Sequence, residues 1–459
     1  MRRGFVTVDA GRRSRQRSDE HHPGCRQDDS GSMSQPGGRL KTRLSRLSRR
    51  LSSVLLAGTL VLSGTVAQAS PRIELEFPTW QAEEPGAAQF WKEAKTAFEQ
   101  THPDVWINLY QVPFKDFTDK MTLRFASDNP PQIVQLPTRN VQQFAAQNWL
   151  AALDDFLARS DIPATYTRLG DDMQWNGKTI GVPLMEYGMV LFYNERLLKQ
   201  AGVTYPTTEA QLLKAISATT DPARGTFGWG ATTMQHPNIY TDWASWATAE
   251  GASLYKKGDY NFTDPKVVQA IDHLRIALRH APSGVSTESA RQLFLDGKIA
   301  MFRDGPWIAP LLKKVRPENR PFMKMGMMPF TIVPGGISNS IHIPVQIDAQ
   351  RRVLVWQFIQ MLSTPEWQAR FALETGSPPP RRNALTPAQI ESHPDLAISL
   401  VSLEHARNLF PDVPAARANF NQISQLVAEA GMRLINSDTP TASILADLQS
   451  DLQKRVPLR

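Results

Sequence analysis

Residues 181–203 read GVPLMEYGMVLFYNERLLKQAGV. Gly181-Val182-Pro183 is a turn signal, and residues 184–193 are then apolar almost throughout, broken by Glu186. Tyr193-Asn194 leads into a short amphipathic helix over 196–201 that stops at Gly202. One carboxylate and two tyrosines, Tyr187 and Tyr193, therefore sit in a segment whose composition demands burial. A buried carboxylate without a partner is costly, so either the protein or a ligand must supply one.

Upstream, IELEFPTW (73–80) alternates apolar and polar residues and reads as a strand. Phe90, Trp91, Ala94, Ala97 and Phe98 recur at helical spacing until His102-Pro103. VWINLYQV (105–112) alternates again. Strand, helix and strand within forty residues form a βαβ opening and imply a parallel sheet. A helix over 115–126 leads to a third strand at 130–136. Downstream of 207 helices dominate. Thr208 with Gln211 fits a capping box, and Thr263 is placed as the cap of a helix carrying Val267, Ile271, Leu274 and Leu278. Thr364-Pro365 opens a helix that Gly376 closes. SPPPRRN (377–383) is a loop crossing between regions, and 416–455 is two or three helices.

The chain of 459 residues carries a formal charge of +7, but the excess lies at one end. Thirteen Lys/Arg and five Asp/Glu fall in residues 1–69, which leaves 38 and 39 for 70–459, a net charge of −1. Nothing there calls for nucleic acid or an anionic membrane. Residues 39–50 are cationic, LSSVLLAGTLVLSGTV (51–66) is an apolar core, and Ala67-Gln68-Ala69 is a small-x-small site. This is the pattern of a cleaved signal peptide, with cleavage near Ala69. Met33 is the better start, residues 1–32 being an upstream extension. Ser48-Arg49-Arg50 matches the twin-arginine signal only in part, so the export route stays open. The single cysteine, Cys25, lies in the leader, so the mature chain has no disulfide, thiol nucleophile or lipid-anchor site. About 390 mature residues predict two domains and a protein of the periplasm.

Five stretches in order resemble the family 1 extracellular solute-binding proteins of bacterial ABC importers, the group that includes maltose- and trehalose-binding proteins. They are FEQTHPDVWINL, FASDNPPQIVQL, the 181–203 segment with YPTTEAQLLKA, FLDGKIAMFRDGPWI, and FIQMLSTPEWQARFALETGSPPPRRNAL. Gln132 stands where that family carries Asp, and Thr208 where it carries Trp. The resemblance implies an α/β fold of two lobes (the type II periplasmic-binding-protein fold) joined by hinge strands, with GVPLMEYG at the crossing. It divides the mature chain into 70–184 and 335–382 for the first lobe, and 185–334 and 383–459 for the second. It implies a monomer that captures a di- or oligosaccharide between the lobes and delivers it to an inner-membrane permease, without catalysis, cofactor or metal. The alternative on the same fold is a glycerophosphodiester or another phosphorylated polyol.

A sugar shows C–H faces that aromatic rings cover, and hydroxyls that carboxylates, amides and guanidinium groups bind. Trp80 and Glu83 follow the first strand, at the carboxyl end where α/β clefts bind ligands, although Trp80 could instead pack on the first helix. Arg139 and Asn140 follow the third strand and match a polar pair carried by many sugar binders. Of Glu186 and Tyr187 at the crossing, one should face the ligand. Tyr240, Asp242 and Trp243 form a polar and aromatic cluster, with Trp246 assigned to core. The resemblance places Trp307, in Gly305-Pro306-Trp307, under a sugar ring. Gly336 and Ser338, with Gly335 and Asn339, could bring backbone amides to the ligand or serve only as a return hinge. Arg381 could clamp a hydroxyl or an anion, or be exposed.

Ferric iron would want converging tyrosines and histidines, which are sparse. The mature chain has no GxSxG, HExxH or Walker A motif, and GTFGWG (225–230) has the wrong spacing for a phosphate loop.

Overall fold

The structure, a computed structural model, describes residues 72–458 except 168 and 170. The leader and its cleavage site lie outside the described residues.

The opening is βαβ. Strand β1 (Ile73–Thr79) pairs in parallel with β2 (Val105–Gln111) across helix α1 (Ala88–Thr101), with Leu75 beside Ile107 and Phe77 beside Leu109. Helix α1 buries Phe90, Trp91, Ala94 and Phe98, the residues whose spacing marked it as a helix. Helix α2 (Phe114–Ala126) precedes β3 (Val134–Pro137), which starts later than the sequence suggests. Gln132 has a local task just before it: its Oε1 accepts the Glu76 backbone N–H at 2.8 Å. Helix α3 (Thr138–Ala146) follows β3 directly.

The strand Val182–Gly188 is buried at all seven positions and runs antiparallel to the long strand Val333–His342, which also pairs with β3. One residue later, Val190–Asn194 belongs to a different sheet, between Met323–Met327 and Ile299–Asp304, with Phe227–Gly230 beyond. The chain therefore changes sheets across Met189 alone, whose N–H donates to Pro334 O at 2.9 Å. Glycine is required at this crossing. A Cβ on Gly188 would lie 2.4 Å from Ser402 O, and one on Gly335 would lie 2.2 Å from Tyr187 O.

The apolar clusters divide accordingly. Leu75, Phe77, Trp91, Leu184, Ile341 and Phe358 pack together, with Phe117, Phe144, Leu136 and Ile337 in a neighbouring cluster. On the other side of the crossing, Trp229, Tyr240, Trp243, Trp246, Phe420 and Leu445 form one core, and Phe192, Phe294 and Phe302 another.

Most local signals hold, with two shifts. The cap of the helix Pro265–Leu278 is Asp264, whose side chain accepts the Lys266 N–H, because Pro265 takes the first helical position; Thr263 instead donates to Gln449. At Glu209–Ala218 the Thr208 hydroxyl accepts the Gln211 N–H, but the Gln211 side chain reaches back to Thr207 rather than Thr208. The helix Pro365–Thr375 begins and ends as read, with Gly376 in the left-handed region at φ 72°. Three helices, Pro414–Ala418, Phe420–Asn436 and Thr441–Arg455, close the chain. Among the described residues, no helix is long and apolar enough to cross a membrane.

Candidate functional site

A cavity of about 190 Å³ lies beside the crossing strands, with walls from both groups of cores. A single water needs only about 10–15 Å³ of such space. One wall is aromatic through Trp80, which follows β1 and packs edge-on against Phe114 and Phe117 of α2, with ring centres at 5.4 and 4.9 Å. Its packing partner is thus α2 rather than the first helix. Another aromatic surface comes from Tyr187 and Trp307, 5.4 Å apart with planes inclined by 55°. The ring of Trp307 folds over Gly305, where a Cβ would lie 2.1 Å from it. Only glycine permits that placement.

Between these surfaces stand charged and polar groups. Arg291 meets Asp304 through two hydrogen bonds, Nε to Oδ2 at 2.6 Å and Nη2 to Oδ1 at 3.1 Å. Arg303 donates to Asp242 through Nη2. Arg139 lies over the Phe114 ring at 5.1 Å and donates from Nη1 to Asn238 Oδ1 at 3.0 Å. Burial pushes the Glu84 carboxyl up to about 7 against the pull of Arg291, and burial raises Asp242 while Arg303 opposes it. Burial lowers Arg139 to about 10 and lifts the Tyr187 hydroxyl to about 12. Ser338 and Asn339 reach the cavity through an irregularity in the long strand. Ile337 opposes Glu186 and Asn339 opposes Met185, so Ser338 is the extra residue. Such bulges re-aim side chains beside sites.

Trp80, Arg139, Tyr187, Asp242, Trp307, Ser338 and Asn339 line this cavity; the other residues singled out from sequence do not. Glu83 is exposed, its N–H held by Gln111 Oε1. Asn140 is buried beside an adjoining hollow, bonded to Thr118 and Asn421. Glu186 is only 1% exposed and turns away, because successive strand residues face opposite sides. The protein supplies it with a partner: Thr167 Oγ1 donates to its Oε2 at 2.9 Å. Tyr240 and Trp243 lie on the inward face of Asn238–Ala249 and join the core, whereas Asp242 is on a different face. The Tyr240 hydroxyl donates to Leu409 O at 3.2 Å. Gly336, at φ 123°, opposes Tyr187 in the strand pair. Arg381 is tied to Asp161 and to Ser363 O.

Glu84, Arg291, Arg303 and Asp304 line the cavity and were not anticipated. For the last two a signal was present. IAMFRD (299–304) places a charged pair in an apolar strand, the same anomaly that drew attention to Glu186.

Hydrogen bonds also join the two sides of the crossing. Asn140 donates to Asn421 at 2.9 Å, while Arg417 and Asn408 each donate to Asp172 at 2.7 Å. Elsewhere, Glu209, Glu250 and His273 bring metal-capable atoms together, but none of them lines the cavity. The His273 Nδ1 lies 2.7 and 2.9 Å from the two carboxylates.

The maltodextrin-binding protein MdxE of Bacillus subtilis is 22% identical over 54% of this chain and 58% of its own length. A solute-binding protein of Thermotoga lettingae, bound with alpha-D-tagatose, superposes with a TM-score of 0.75 at 18% identity, covering 85% of this chain and 100% of its own. UgpB of Mycobacterium tuberculosis, in complex with glycerophosphocholine, gives 0.71 at 19% identity over 83% and 98%. These likenesses establish the two-lobed fold. The profile of the bacterial extracellular solute-binding proteins matches residues 93–398, more than half of the chain. The chain belongs to the bacterial extracellular solute-binding protein family, the non-enzymatic capture components of ABC transporters.

Proposed function

We propose that the protein captures a carbohydrate, a di- or oligosaccharide, and hands it to an inner-membrane permease. The supporting observation is the cavity itself: aromatic rings at Trp80, Tyr187 and Trp307 with ion pairs and amides between them. The rings suit the C–H faces of a sugar, and the polar groups suit its hydroxyls. Binding that touches both lobes stabilises the closed form over the open one, which is the signal a permease reads. In this reading residues 70–184 with 335–382 form one lobe and 185–334 with 383–459 the other. The mature protein begins after Ala69 and works in the periplasm as an unanchored monomer.

Thermal unfolding against a panel of sugars, polyols and glycerophosphodiesters tests this. A ligand at 100 times its dissociation constant adds about 2.7 kcal/mol. Stabilisation by a di- or oligosaccharide, lost in Trp307→Ala, supports the reading. Stabilisation by glycerophosphodiesters alone overturns the sugar assignment and leaves solute capture intact. Mass spectrometry of the exported protein checks the cleavage position.

A further inference from the structure

Two cations on the cavity wall have bonding capacity that the protein does not use. The Arg303 side chain is 7% exposed and lines the cavity. Its Nη2 meets Asp242, but Nε and Nη1 have no hydrogen-bond partner. Buried unmet donors on a charged group are costly and call for an acceptor. Arg139, from the other side of the crossing, forms no ion pair among the described residues; its one hydrogen bond goes to the neutral amide of Asn238. Arg291 differs from both, being matched by the two-point contact with Asp304.

These two guanidinium groups act on the same place. Both line the cavity that Tyr187 also lines, and both favour the ionised form of its hydroxyl. That hydroxyl makes no hydrogen bond among the described residues, and its ring rests against Trp307. Glu84 feels chiefly Arg291 and Asp304. Around Tyr187, Asp242 is bonded to Arg303, and Asp172, which also acts on that hydroxyl, is bonded to Arg417, so of Arg139 and Arg303 the first has no acidic partner. A neutral hydroxyl could accept their N–H bonds but would leave a buried positive charge uncompensated. A negative oxygen group meets both demands.

We infer that the captured solute carries an anionic oxygen group, the carboxylate of a sugar acid or a phosphate ester, held by Arg303 and Arg139 beside the Tyr187 hydroxyl, with its ring body against Trp307. The assignment of the ring body rests on the carbohydrate reading; the assignment of the charge does not.

Calorimetric titration of the exported protein with three matched sets tests it: neutral disaccharides, the same disaccharides with a uronate, and sugar phosphates with glycerophosphodiesters. The acidic compounds should bind about tenfold tighter or more than their neutral matches, and increasingly so at low salt. Arg139→Gln breaks no ion pair, so it should fold, and it should erase most of that preference; Arg303→Lys, which keeps a charge for Asp242, should weaken it. Uronate against phosphate identifies the source of the charge. Neutral sugars binding as tightly as acidic ones would overturn the inference while sugar capture stands. Phosphodiesters binding without any sugar would keep the anion site and overturn the sugar. No binding in any set, with native circular dichroism, would overturn both.

Discussion

Asp304 grips Arg291 with both carboxylate oxygens, at 2.6 and 3.1 Å, and its Oδ1 also accepts the Gly305 N–H at 2.7 Å. One side chain thereby fixes a cation in the cavity and the turn that aims Trp307. Asp304→Asn should leave Arg291 unmatched where it is mostly buried, at a cost of about 3 kcal/mol. Urea unfolding reads the loss. Replacing both residues by leucine should cost less than the single change, because no charge is stranded.

Gly305 lets the Trp307 ring fold back, with a virtual Cβ 2.1 Å from the ring. Gly305→Ala should therefore displace the ring and weaken binding of the proposed sugar by about tenfold, the scale of one lost aromatic contact. Titration with a stabilising sugar measures it, and the tryptophan emission should shift in the unliganded protein. Unchanged affinity would remove Trp307 from the binding surface.

Glu84 supplies a pH dependence. Its folded pKa is raised from 4.5 to about 7 by burial, so the folded state holds a proton that the unfolded chain releases. Stability from this group is full below about pH 4.5 and falls as pH rises through 7, by roughly 3 kcal/mol. Glu84→Gln should flatten the stability profile across that window and gain relative to the parent at pH 8. Denaturant unfolding at four pH values decides; parallel profiles would show that Glu84 does not titrate there.

Arg417 and Asn408 both bond to Asp172 from the other side of the crossing, at 2.7 Å each. Arg417→Ala should raise the open population of the unliganded protein. Small-angle scattering would show a larger radius of gyration, and apparent affinity should fall by about threefold to tenfold as the binding-competent fraction drops. An unchanged radius with unchanged affinity would assign the contact to local stability alone.

Much of this fold could be read before the structure, because its signals are local. Helical spacing of Phe90, Trp91, Ala94 and Phe98 marked α1, and Pro365 with Gly376 bounded a later helix. The apolar strand with its polar break announced burial, but the crossing at Gly188 was placed by the family resemblance of GVPLMEYG and not by a local pattern. The site was less legible, since facing depends on phase. A shift of one residue separates Tyr187 from Glu186, and Asp242 from Trp243. Arg381 has the chemistry for a ligand but spends it on Asp161, a pairing 220 positions away that no local pattern discloses. Arg303 and Asp304 carried a visible anomaly, charge inside an apolar strand, and were read only as part of a motif.

The change of sheet at Met189 has a mechanical consequence. Gly188 pairs with Gly335 on one side, Val190 is already registered against Met327 on the other, and the Met189 N–H is pinned to Pro334. A linker this short, tied to its antiparallel neighbour, cannot sway in every direction. It forms a short, tethered joint, which restricts the directions in which one sheet can turn against the other.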